Sequence, residues 1–131
     1  MKPHRLSTTA LGIILLVWMG VIFAFSSFPG SPFSLNPPVW YFVERKGAHV
    51  FEYALLLLLA YNYFSRIFVK EKESRIFLFV IVFSLTYAMT DELHQFFVPF
   101  RGAKFSDVLI DGGGIFSMSL LLHLFSLRKK I

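Results

Sequence analysis

The run Ile76-Phe77-Leu78-Phe79-Val80-Ile81-Val82-Phe83-Ser84-Leu85-Thr86-Tyr87-Ala88-Met89 is followed without a break by Thr90-Asp91-Glu92-Leu93-His94-Gln95-Phe96-Phe97-Val98. How that junction is read decides the fold. The segment from Ile76 to Met89 alone is too short to cross a bilayer, whose hydrocarbon core asks for roughly 20 apolar residues per helix. No glycine or proline interrupts the chain before Pro99. A helix that runs through the polar sextet to Val98 becomes long enough, and it carries two acids and a histidine into the membrane. Such groups cost at least a few kcal/mol there unless they face the bundle interior or water.

The composition supports a membrane. Hydrophobic residues make up 56% of the 131 and charged residues 16%, against about 25% charged in an ordinary soluble domain. Mean hydropathy is +0.64. A water-soluble fold of this size has too little polar material to cover its surface, and disorder is excluded by the same numbers. The net charge of +5 reads as membrane orientation rather than as a nucleic-acid footprint. The chain has no cysteine, so it has no disulfide framework and no thiolate site.

Three further apolar segments accompany the first: Ala10 to Phe28, Ala48 to Phe64, and Val108 to Leu127. The expectation is a single all-α domain over 1–131, an integral membrane four-helix bundle with helices near 10–28, 48–64, 76–97 and 108–127. Ala10 to Phe28 follows Lys2 and Arg5, and Ala24-Phe25-Ser26 loosely resembles a signal-peptide cleavage site. Its apolar stretch exceeds the usual core of roughly 7–15 residues, so it is read as an uncleaved helix. Pro29-Gly30-Ser31-Pro32 and Asn36-Pro37-Pro38 break the chain after it. Arg66 to Arg75 and Pro99 to Ser106 form the other two connections.

Lys and Arg sort by side. Lys2, Arg5, Arg66, Lys70, Lys72, Arg75, Arg128, Lys129 and Lys130 fall at one end of the bundle, and Arg45, Lys46, Arg101 and Lys104 at the other. The excess marks the cytoplasmic side, which puts the N- and C-termini in the cytoplasm and predicts a multi-pass protein of the cell membrane.

The acids cluster at the opposite end. Counting outward at 1.5 Å per residue, Glu52 lies about 21 Å from Arg66, Asp91 about 24 Å from Arg75 and Asp111 about 25 Å from Arg128. Acids on three helices thus share one depth, just inside the outer boundary. Lys46, His49 and Tyr53 run i, i+3, i+7; Asp91, His94 and Gln95 run i, i+3, i+4; Asp107 and Asp111 are i, i+4. Glu52 is three past His49. Glu92 is about 100° from Asp91 around the helix, which points it toward the surface. Gly112, Gly113 and Gly114 allow close helix approach, with Gly113 and Ser117 as a small-xxx-small pair. Asp107 and Ser106 are N-cap candidates for the last helix. Asp111 lies a turn too deep for that role.

Three readings of the cluster stand side by side. One is an ion-pair network tying the helices together, since buried charges are paired as a rule. The second is a binding or catalytic pocket, in which His49, Glu52, Asp91, His94 and Asp111 are the catalytic candidates. Lys46, Tyr53, Gln95, Arg101 and Asp107 would then hold the substrate, Lys46 and Arg101 through its anionic group. The third is a metal centre drawn from His49, Glu52, Asp91, His94, Asp107 and Asp111, with ligand types that suit zinc or manganese. No ligand spacing such as HExxH is present, so no metal ligand is assigned and no cofactor follows.

Several of these residues also stand in a familiar order. Lys46-x-x-His49-x-x-x-Tyr53, the stretch from Asp91 to Gly102, Ser106-Asp107-Val108-Leu109-Ile110-Asp111-Gly112-Gly113-Gly114, and more weakly Ser26-Ser27-Phe28-Pro29 resemble the VanZ-like family. Asp111 stands where many members carry Asn and others carry Asp. The resemblance implies a four-helix membrane protein similar to one associated with low-level teicoplanin resistance. The expected partners are the lipid bilayer and a lipid-linked cell-wall precursor or a glycopeptide, and no nucleic acid. A small proton-coupled transporter, or a non-catalytic partner in an envelope complex, is the alternative, and whether the protein is an enzyme stays open at this point.

Overall fold

A computed structural model describes residues 6–30, 39–101 and 104–128. It contains four helices: α1 (Thr8–Ser27), α2 (Val39–Ile67), α3 (Glu73–Phe96) and α4 (Phe105–Arg128). The fold is all-α. The breaks expected at Ser31-Pro32 and Asn36-Pro37-Pro38, the residues Lys2, His4, Arg5 and Gly102, and the charges Lys129 and Lys130 lie outside the described residues.

Local chemistry sets the helix ends. Ser7 caps α1, its side chain accepting from the Ala10 backbone N–H at 3.1 Å, which satisfies one of the donors a helix start leaves unpaired. Thr90 to Gln95 continue α3 as helix, and Phe97 ends it. Helix α2 begins at Val39, nine residues before the expected Ala48, because Glu44, Arg45 and Lys46 interrupt the apolar run without interrupting the helix. Asp107 lies in the first turn of α4, which starts at Phe105, so it is not the N-cap.

Helices α1, α3 and α4 are each long and apolar enough to cross a membrane. Four such spans were expected, and α2 is the exception. Helix α2 packs against each of the other three helices, so it has the least need of an apolar exterior, and it carries Glu44, Arg45, Lys46, His49, Glu52 and Asn62. Among the described residues α1 and α4 do not touch each other; they lie on opposite sides of the α2–α3 pair.

The core is formed by Leu15 and Ile22 of α1, Tyr53, Leu56, Leu57 and Ala60 of α2, Val80 and Ala88 of α3, and Ile115 of α4. The α2 members fall at i, i+3, i+4 and i+7, one helix face. On α3 the buried stripe Ile76, Val80, Ser84, Ala88 continues without a change of period into Asp91, Glu92 and Gln95. The inward face keeps its geometry while its chemistry turns from apolar to ionisable. Outward residues such as Leu16, Val17, Leu78, Val82, Phe116 and Leu120 are exposed, the pattern of a lipid-facing surface.

The closest helix contact is α2 on α4. A Cβ added to Gly114 would meet the Val50 carbonyl oxygen at 2.2 Å. The Gly113–Ser117 pair expected to make this approach does not: Gly113 has nothing within 4 Å, and both residues are exposed. One position around α4 separates a residue that faces α2 from one that faces outward.

Candidate functional site at the polar end of the bundle

Helices α2, α3 and α4 bring their ionisable residues together at one end. His49 Nδ1 lies 3.0 Å from Asp111 Oδ1, with both residues buried. The contact fixes the imidazole ring and leaves its other nitrogen to act as acceptor or donor. Asp91 Oδ2 accepts from Gln95 Nε2 at 2.8 Å. Gln95 Oε1 in turn accepts from Arg101 Nε at 3.0 Å. A glutamine side chain thus links a buried carboxylate to a guanidinium. The Lys46 ammonium pairs with Asp107.

Arg101 is held by more than Gln95. Its Nη1 donates to the backbone carbonyls of Phe25 at 2.8 Å and Phe28 at 3.1 Å. Both carbonyls lie at the end of α1, where regular helical partners run out; Phe25 O also accepts from the Phe28 N–H at 3.4 Å. The loop presenting Arg101 also takes Phe100 to a φ of 59°, a left-handed conformation uncommon for a bulky side chain. Gly30 packs backbone to backbone against it: its N–H donates to Pro99 O at 3.1 Å, and a Cβ there would lie 1.8 Å from Phe100 O. Burial, and after it the Arg45 guanidinium, lower the Arg101 pKa from its ordinary value, while Asp91, Glu52 and Glu92 raise it. Arg101 remains cationic.

Helix α1 closes the fourth side. Ser26, buried, lies 3.2 Å from His94 Nδ1, and the His94 ring stacks on Phe23 at 4.4 Å between centroids. Trp18 Nε1 donates to the Glu52 carbonyl at 3.0 Å, and Tyr87 OH to the Met19 carbonyl at 2.6 Å. Between α1, α2 and the α3–α4 loop a cleft of about 400 Å³ opens, lined by Arg45, His49, Glu52 and Arg101 on its polar side and by Phe25 and Phe28 on its apolar side.

The sequence-derived candidates separate into groups. His49, Glu52 and Arg101 line the cleft. Asp91, Gln95, Asp111 and Tyr53 are buried behind them. Lys46 and Asp107 engage each other at the edge. His94 belongs with Ser26 and Phe23, apart from the His49–Asp111 contact.

Glu92 corrects the sequence reading most clearly. It points inward, 5% exposed, where it meets the Lys104 backbone and, among the described residues, no side chain hydrogen-bonds its carboxylate. The 100° step from Asp91 remains inside because α3 packs against α2 and α4 at once. Its interior arc is therefore wide enough for both acids. Arg45 is the other cleft residue that spacing alone does not single out; the sequence shows it only as one of the basic residues at that end. Of the six acids and histidines weighed as metal ligands, only His49 and Asp111 take part in the convergence the structure reveals, in which Glu92 is the third member.

A family model described as VanZ/LLP1 matches residues 11–126 of the chain. No curated protein and no solved structure matches it.

Proposed function

The chain belongs to the VanZ/LLP1 family of membrane proteins, and from that membership and the site we propose an envelope role. The protein binds or modifies a lipid-linked or cell-wall molecule at the outer face and lowers susceptibility to glycopeptides of the teicoplanin type. The distribution of Lys and Arg supports the orientation, with the basic end cytoplasmic and the polar end outside.

The observation that carries this reading is the cleft of about 400 Å³, cationic and aromatic on opposite walls. A pocket of that size suits a small ligand or a head group. Arg45 matches a phosphate or carboxylate, which a guanidinium holds with two parallel hydrogen bonds, and Arg101, its Nε and Nη1 engaged by Gln95 and the α1 carbonyls, adds positive charge beside it. Phe25 and Phe28 are exposed and match an acyl or prenyl chain approaching from the bilayer. Lys46, engaged by Asp107, is less suited to a substrate anion than Arg45. In a hydrolytic or transfer reaction, His49 or a carboxylate of the cleft would be the base.

A proton-coupled transporter is less well supported. Its relay would need to pass Leu56, Leu57, Ala60, Val80 and Ile115, all fully buried and apolar.

The test is teicoplanin susceptibility in a sensitive host. The wild-type chain is expected to raise the inhibitory concentration several-fold. Arg101→Gln and Glu52→Gln are expected to return it to the vector level while accumulating equally in the membrane. An unchanged inhibitory concentration for the wild type, or full protection by both variants, contradicts the reading.

A further inference from the structure

We propose that His49, Glu92 and Asp111 form a divalent-cation site. The three come from α2, α3 and α4, and each offers a ligand atom within 4.8 Å of the others. All three side chains are at least nine-tenths buried, at 5%, 5% and 0% exposure. Among the described residues no side chain hydrogen-bonds the Glu92 carboxylate, which meets the Lys104 backbone, and Oδ2 of Asp111 has no hydrogen-bond partner. Two carboxylates and an imidazole therefore converge in a buried place, and His49 is hydrogen-bonded to one of the carboxylates, through Asp111 Oδ1.

Two of the nearby cations are engaged elsewhere. Lys46 pairs with Asp107, and Arg101 reaches Asp91 through Gln95. Glu92 and Asp111 face an imidazole that binds metals in its neutral form. A divalent ion balances them. Buried carboxylates require such a partner or a proton. A cation paired to His49 alone would serve Asp111 and leave Glu92 unanswered.

The donor set is one nitrogen and two carboxylates, which suits zinc or manganese better than calcium or magnesium. Ligands at about 2.0–2.2 Å from one tetrahedral zinc ion lie roughly 3.4 Å apart. Small side-chain rotations bring the three into range. Three protein ligands leave a coordination position open, and His49 also lines the cleft, so that position lies toward the cleft. The site stands on its own side chains and does not depend on the proposed ligand or on resistance.

The experiment uses the full-length protein purified in detergent, stripped with chelator and dialysed against zinc or manganese alone. The wild type is expected to retain about one ion per chain, as a single three-ligand site requires, and its melting temperature to rise with metal concentration. Glu92→Gln and Asp111→Asn are expected to weaken binding by roughly tenfold or more, at least the loss that removing an outer-shell partner causes. Asp91→Asn, outside the triad, should bind as the wild type does. If a variant fails to accumulate, zinc-edge X-ray absorption of the wild type decides: nitrogen and oxygen ligands with an imidazole signature are expected. A wild type that binds neither metal, variants that bind as tightly as it does, or a zinc spectrum without imidazole overturns the proposal.

Discussion

Lys46 and Asp107 keep only 18% and 14% of their side chains exposed, so their contact is closer to a buried ion pair than to a surface bridge. Removing one partner of such a pair strands the other in a poorly hydrated place. Lys46→Met is expected to lower the thermal midpoint in detergent, and adding Asp107→Asn to restore most of it. The coupling energy across the double-mutant cycle should be about 1–3 kcal/mol; strictly additive effects would mean the pair contributes nothing. The residue scale is also where reading the sequence divides most clearly. Asp111 was legible because an acid a full turn inside an apolar helix has no capping role to explain it. Glu92 was not, because its direction was judged by its angle from Asp91, as if α3 had one neighbour. With α2 and α4 both against it, two adjacent residues face the interior.

The glycines decide the argument at the scale of helices. Gly114 sits against the backbone of Val50, where an added Cβ would meet the carbonyl oxygen at 2.2 Å. Neither partner atom can rotate away, so α4 or α2 must shift. Gly114→Ala is expected to cost about 1–3 kcal/mol, the usual range for overpacking. Gly113→Ala, with nothing within 4 Å, is expected to be neutral or to gain up to about 1 kcal/mol from helix propensity. Equal melting temperatures for the two variants would contradict the packing described. The run of three glycines was visible in the sequence, but which one faces α2 depends on the rotation of α4, and the pattern of small residues does not set it. The start of α2 was missed for a related reason. Apolar length marks only the span, and the helix extends through charged residues to Val39, beyond any hydrophobic signal.

For the whole molecule, the number of helices and the continuation of α3 through Asp91 to Phe96 were legible, because apolar length and the absence of helix breakers dictate both. That α2 differs from its neighbours was not, since hydropathy does not say which helix will be central. The clustering of the acids at one depth followed from counting residues back to the basic ends. Their enclosure by α1, through Ser26, Trp18 and the carbonyls that hold Arg101, required the tertiary arrangement. The central claim is that this polar end opens to the outside. The chain has no cysteine, so a single introduced thiol reports without background. Ala48 lines the cleft and is exposed; Ser74, at the basic end, is exposed as well. In intact cells a membrane-impermeant maleimide is predicted to label Ala48→Cys and to reach Ser74→Cys only after permeabilisation. Labelling of Ala48→Cys only in permeabilised cells, with Ser74→Cys labelled in intact ones, would contradict the account.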